Sequence, residues 1–237
     1  MVTYTRACKV CSTTETEQMA AIGRRLRGKS HESGFYCETC YSGSETREHP
    51  EYRRRKVLAA ATAFLEALGV DLSEEDFAET PRRMSSFFLE HFISQQELDD
   101  IIRSIRVTFP SVYEGMVSVE AVNAVGLCPH HLLPVTYTIR AAYIPAEGRV
   151  IGLSKLPRVI EACALYPRLQ ENITSLIADV LSRASGSGDV AVHIVGRHEC
   201  MSHRGVKQHA ATTSTAILRG EFRTNAEVRQ EFYAQFK

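Results

Sequence analysis

"MVSVEAVNAVGLCPHHLLPVTYTIRAAYIP", residues 116–145, contains two runs in which apolar and polar residues alternate, joined by the connection GLCPHHLL. Alternation of period two predicts two β-strands, because successive side chains of a strand point to opposite faces. The connection crowds Cys128, His130 and His131 into four positions. A thiol and two imidazoles are soft metal ligands, and a metal needs at least one more ligand from elsewhere in the chain. The alternative at this point is a small buried cysteine with incidental histidines.

Beyond this hairpin the period changes. GLSKLPRVIEACALYP (152–167) and RLQENITSLIADVLSRA (168–184) are two helical patterns separated at Pro167. GSGD is a turn, VAVHIVG a strand, and ATTSTAILRGEF a threonine-rich strand. From about residue 115 the expected order is strand, strand, helix, helix, strand, strand, an α+β arrangement. Upstream, Val57, Leu58, Ala61, Phe64, Leu65 and Leu68 recur at three and four, so a helix is expected from Tyr52, stopped by Gly69. ETPRRMSSFFLEHF restarts a helix, with Thr80 as N-cap and Pro81 at the first helical position.

Four cysteines precede all of this. Cys8 and Cys11, then Cys37 and Cys40, form two Cys-x-x-Cys knuckles on a segment with few large apolar residues. Each knuckle spans one edge of a tetrahedron, so a structural zinc is expected there, and a redox dithiol is the alternative. His31 could substitute as a ligand, although a histidine beside glycine and serine is more often exposed. YSGSETREHPE (41–51) reads as a linker, giving a zinc-ribbon-like module over 1–48 and a main domain over 49–237.

Composition narrows the function classes. The chain has 237 residues, with 28 basic and 28 acidic side chains, so no global field calls for nucleic acid or an anionic membrane. Residues 1–56 hold 11 Lys/Arg against 7 Asp/Glu, a mild basic bias that includes Arg24, Arg25, Arg27 and Lys29. The first residues contain no apolar leader, and no run reaches membrane-spanning length, so a soluble cytoplasmic protein is expected. Seven cysteines would leave one unpaired in a disulfide framework, which favours metal ligands, nucleophiles or core positions. Cys163 is expected in the core, and His193 as a packed strand residue.

RHECMSHRG (197–205) supplies the missing metal partner, with His198, Cys200, His203 and Arg204. A cysteine and a histidine from the first hairpin plus Cys200 make three ligands. Zinc with three protein ligands and an open position is the catalytic arrangement. His130 or His198 would remain as acid–base groups. Near GLSK, Ser154 can cap a helix whose first turn carries Lys155 and Arg158. Free N–H groups, the helix dipole and two cations together suit phosphate. Gln170 and Glu171 open the next helix. Glu171 is either dipole compensation or an acceptor for adjacent N–H donors such as those of guanine.

CPHHLLP, AAYIP, GLSKLPR, LQENIT, HECMSHRGV and TTSTAILRGEF resemble, in order, the successive motifs of type I GTP cyclohydrolase, over about residues 52–237. That family converts GTP and water to 7,8-dihydroneopterin triphosphate and formate. The resemblance implies that Cys128, His131 and Cys200 hold the catalytic zinc and that His130 and His198 are the catalytic imidazoles. It implies ribose-triphosphate contacts from Ser154, Lys155, Arg158 and Arg204, a phosphate contact from Arg83, and guanine reading by Gln170 and Glu171. It also implies a tunnelling fold assembled as a ring of ten, with sites between subunits. Two residues depart from the family pattern: Pro129 stands where glutamate is usual, and Ser86 where lysine is usual. The second removes one exposed phosphate contact, worth roughly 1 kcal/mol after screening.

The implied chemistry suits these groups. C8 of GTP becomes electrophilic once N7 is protonated, a step open to His130 or His198, and the metal serves as water activator. Two other readings are a tunnelling-fold enzyme of the 7-deazaguanine pathway and a nucleic-acid- or protein-binding adaptor on an inactive scaffold. NADPH oxidation in place of formate release would mark the first. The second is disfavoured by the complete zinc and imidazole set.

Overall fold

The computed structural model describes residues 3–7, 14–18, 29–31, 34–36, 50–105 and 107–235. Cys8, Cys11, Cys37 and Cys40, and with them the expected structural zinc, lie outside the described residues. The chain divides into two compact units, Met1–Leu89 and Glu90–Lys237. The division at residues 48 and 49 drawn from composition falls within the first unit.

In the first unit β1 (Thr3–Ala7) pairs antiparallel with β2 (Thr14–Gln18), and β3 (Lys29–His31) with β4 (Gly34–Tyr36). Helix α1 (Pro50–Ala67) buries Ala61 and Leu65, one turn apart. It ends where expected, because Gly69 takes a φ of +81° that only glycine adopts cheaply. Helix α2 (Thr80–His91) begins at the expected Thr80, with Arg83 exposed on its first turn.

The second unit opens with α3 (Gln95–Ser104), an element absent from the sequence reading. Its start carries a full capping box: Ser94 accepts from the Glu97 N–H, and Glu97 accepts from the Ser94 N–H. The centre of the unit is a four-stranded antiparallel sheet, ordered β10-β9-β7-β6, from β6 (Val117–Leu127), β7 (Pro134–Tyr143), β9 (Val190–His198) and β10 (Thr213–Leu218). A short pair, β5 (Thr108–Pro110) and β8 (Arg149–Ile151), lies outside that sheet in the hydrogen-bonding pattern. Between β8 and β9 run α4 (Lys155–Leu165) and α5 (Gln170–Ser185). The mixed α/β class with antiparallel sheets agrees with the α+β expectation.

Alternation explains the core. Val135, Tyr137, Ile139, Ala141 and Tyr143 of β7 are buried at every second position, as are Val190, Val192 and Ile194 of β9. They join Leu156, Val159, Ile160 and Cys163 of α4 and Ile173, Ile177, Val180 and Leu181 of α5 in one cluster. Each such side chain contributes about 1.5–3 kcal/mol through burial. Cys163 is therefore a core residue, fully buried, its thiol pushed up to about 12 by desolvation. Ala142 and Ala191 belong to a second cluster with Phe222 and Phe232, from α7 (Glu221–Thr224) and α8 (Ala226–Ala234).

Two local expectations change. Ser154 occupies the N-cap position of α4, but its own backbone is helical (φ −67°, ψ −14°) and its side chain makes no capping bond. The strand expected over ATTSTAILRGEF stops at Leu218, because Gly220 turns the chain at φ +54° and α7 takes the remainder. A Cβ at Gly220 would lie 1.9 Å from Asp189 Oδ1, the oxygen that accepts the Glu221 N–H.

Candidate metal centre and active site

Strand register builds the site. Leu127 at the end of β6 pairs with Pro134 at the start of β7, and Val135 pairs with His198 at the end of β9. The residues that leave β6 and β9 therefore emerge side by side. Cys128 follows β6, and Cys200 lies in the one-turn helix α6 (Glu199–Ser202) that follows β9. The ligand atoms of Cys128, His131 and Cys200 all lie within 4.8 Å of one another.

The turn that carries Cys128 and His131 is tightly tied. The Cys128 N–H donates to Leu133 O at 2.9 Å, and the Leu132 N–H to Cys128 O at 2.8 Å. Leu132 sits at φ +52°, a left-handed conformation that costs a non-glycine residue about 1–2 kcal/mol. The result brings His131 Nδ1 to 3.8 Å from Cys128 Sγ, with His130 Nδ1 at 3.9 Å.

This donor set fits zinc. Ligands about 2.0–2.3 Å from a tetrahedral centre stand roughly 3.3–3.8 Å apart, so a small contraction would seat the ion. The electrostatics point the same way. Burial first, then the hydrogen bond and charge of Cys128, raise the Cys200 thiol above its ordinary range, and Arg204 opposes them. A thiol that burial and a neighbouring thiol keep from ionising, as here for Cys200, is relieved by a cation beside it. Cys128 is buried, Cys200 half-buried and His131 exposed, which leaves an open side for a substrate.

Around the cluster, His198 is half-buried and donates from Nε2 to Gln170 Oε1 at 2.9 Å. Burial lowers its pKa, and the Glu171 carboxylate opposes that shift. Glu171 is exposed and, together with Cys128 and Cys200, also raises the buried Tyr137 phenol, although desolvation is the larger cause. Glu171 thus lies within electrostatic reach of both His198 and Tyr137. Arg204 Nη1 lies 2.5 Å from His131 Nε2. His203 Nδ1 lies 2.5 Å from Glu199 Oε2, so His203 is held by a carboxylate and takes no part in the cluster.

The remaining expected residues divide. Ser154 and Arg158 are exposed and Lys155 half-exposed at the start of α4. Arg83 belongs to the first unit. Gln170, expected beside the base with Glu171, has a side chain only 3% exposed and occupied by protein partners. The sequence reading missed Tyr137, Gly196 and Glu199. Tyr137 has its ring edge-on to His198 at 6.2 Å, and a Cβ on Gly196 would lie 2.2 Å from Gln170 Oε1. An isolated glycine inside a strand signals such a close approach, so Gly196 was findable.

Comparison with known proteins adds an independent observation. The family profile described as GTP cyclohydrolase I matches residues 57–237. A protein named GTP cyclohydrolase 1 from Geobacillus kaustophilus is 38% identical over 188 residues, covering 79% of this chain and 99% of its own length. Its namesake from Pelotomaculum thermopropionicum is 38% identical over 186 residues, covering 78% and 98%. One from Streptococcus pyogenes is 35% identical over 178 residues, covering 75% and 91%.

Proposed function

This chain belongs to the GTP cyclohydrolase I family, and on that premise we propose that Cys128, His131 and Cys200 form the zinc centre at which it hydrolyses GTP. The enzyme converts GTP and water to 7,8-dihydroneopterin triphosphate and formate, the entry to pterin and folate biosynthesis. The convergence of three soft ligands from two strand ends, beside a histidine and a carboxylate, carries the site assignment.

Cys128, His131 and Cys200 would hold the zinc, which would supply Lewis acidity for water activation near neutral pH. The protein does the rest. Glu171 accepts from the guanine N1–H and exocyclic amine, a pairing that a carboxylate makes and an adenine edge refuses. Lys155, Arg158 and Arg204, with Ser154 as a hydroxyl donor, bind the ribose triphosphate, and Arg83 adds a phosphate contact. His198 delivers a proton to N7 of the purine, which makes C8 attackable, and His130, exposed beside the cluster, serves the later proton transfers.

The strand, strand, helix, helix, strand, strand order supports a tunnelling fold, and the edge positions of β6 and β10 support its closure with other copies into a decamer. Family members are oligomeric, and sites between subunits would let Arg83 act on a neighbour's substrate. Among the described residues no helix is long and apolar enough to cross a membrane, and a cytoplasmic location is part of the proposal. Cys8, Cys11, Cys37 and Cys40 would hold the second, structural zinc, in a module whose partner would be protein or nucleic acid. The test is incubation of the zinc-loaded protein with GTP. Formate and a fluorescent oxidised pterin are expected, and their absence would refute the assignment.

A further inference from the structure

Gln170 and Glu171 are neighbours in sequence with opposite fates. Glu171 is exposed, whereas the Gln170 side chain points inward from the first residue of α5 and is almost wholly buried. Its Nε2 stands 3.0 Å from Thr213 O, 3.3 Å from Ile194 O and 3.1 Å from Thr215 Oγ1. Two of these partners are backbone carbonyls, which only accept. The amide nitrogen must therefore face them, and Oε1 must face His198.

The hydroxyls agree. Thr174 Oγ1 donates to Gln170 O at 2.8 Å, which uses its only proton. At the 2.7 Å contact between Thr174 and Thr215, Thr215 is then the donor. That leaves Thr215 Oγ1 as an acceptor toward the Gln170 amide. Every hydrogen bond in the network thus has a determined direction, ending at an Oε1 that can only accept from His198 Nε2. Space for this contact depends on Gly196, whose missing Cβ would sit 2.2 Å from Gln170 Oε1 and 3.2 Å from His198 Nε2. The Tyr137 ring stands perpendicular to the imidazole, with centroids 6.2 Å apart.

We infer that Gln170 is a positioning residue that locks the ring of His198 with Nε2 protonated, so that Nδ1 is the nitrogen that exchanges a proton with substrate. This rests on the reading of His198 as the proton-transfer residue. It moves the side chain of Gln170 out of guanine recognition and leaves that role to Glu171.

The test compares Gln170→Ala, Gly196→Ala, Thr215→Val and His198→Ala in zinc-loaded enzyme, with kcat and KM measured for GTP and for ITP, which lacks the exocyclic amine. A positioned acid–base side chain is worth about 10²–10⁴-fold, and misplacing it forfeits part of that, about 10–100-fold. Gln170→Ala and Gly196→Ala should lose kcat on that scale, with the KM for GTP and the preference for GTP over ITP unchanged. Thr215→Val, which touches no ligand, should move kcat the same way by less. A raised KM and a collapsed GTP preference at unchanged kcat would return Gln170 to guanine reading and overturn the inference. If His198→Ala is inactive while Gln170→Ala and Gly196→Ala keep full kcat, the inference alone fails. If His198→Ala keeps full kcat, the proton-transfer reading fails and takes the inference with it. Should Gln170→Ala not fold, Gly196→Ala and Thr215→Val decide by the same criteria.

Discussion

Arg204 Nη1 stands 2.5 Å from His131 Nε2, so the guanidinium proposed for the triphosphate touches a ring of the metal cluster. A guanidinium only donates, so Nε2 accepts in this arrangement. Arg204→Ala should raise the KM for GTP about 10–100-fold, the worth of charge-assisted phosphate bonds, and should leave zinc content unchanged. Arg204→Lys should restore little of this, because an ammonium cannot copy a bidentate fork. Steady-state kinetics with parallel metal analysis checks both statements.

Glu171 should decide the base. Its carboxylate is exposed at the start of α5 and couples electrostatically to His198 and Tyr137. Glu171→Gln replaces an acceptor pair by one acceptor and one donor, and should lower kcat/KM for GTP by about a hundredfold or more. Zinc content should not change. Wild-type turnover of ATP at the GTP rate would remove the guanine role.

Metal analysis should find two zinc ions per chain with separable effects. Cys200→Ser should remove one and abolish formate release while the assembly stays folded, because the sheet and helices supply their own core. Replacing Cys8 and Cys11 by serine should remove the other and leave GTP turnover largely intact. One zinc in the native protein, or an active Cys200→Ser variant, would contradict this division.

Gly126 should prove intolerant of any side chain. It lies in β6 two residues before Cys128, and a Cβ there would meet Ala164 O of α4 at 2.4 Å. A backbone carbonyl cannot step aside as a flexible side chain can. Gly126→Ala should cost about 1–3 kcal/mol in denaturant unfolding, the usual range for overpacking. It should also weaken zinc retention by shifting the turn that carries Cys128.

His193 should make the fold acid-sensitive. Burial first, and the charge of Arg140 second, lower its pKa in the folded protein. In the unfolded chain a histidine titrates near about 6.5. The unfolded state therefore binds the proton more readily as pH falls. The contribution of neutral His193 is complete above about pH 6.5 and is lost as pH drops through the folded value. Thermal unfolding of His193→Gln should show less destabilisation between pH 7 and 5 than wild type does, and equal slopes would exclude His193 as a source.

Most of the central elements and the chemical inventory are legible in the residues alone. Period-two runs mark β6 and β7, VAVHIVG and the threonine-rich run mark β9 and β10, helical patterns mark α1, α4 and α5, and the ligand types are visible as Cys128, Cys200 and a histidine of the His130–His131 pair. These signals are local, set by the geometry of a strand or a helix turn. Even α3 was legible, since Ser94 and Glu97 spell a capping box. What only the tertiary structure decided is the pairing of Val135 with His198, which brings two distant turns together and converts separate motifs into one site. It also sent Gln170 inward and Glu171 outward, although both are polar and adjacent. That choice depends on Gly196, Thr213 and Thr215, which reach Gln170 only once β9 and β10 have paired. Register between strands far apart in sequence is fixed by the burial of a whole face at once, and no single stretch of residues carries that information.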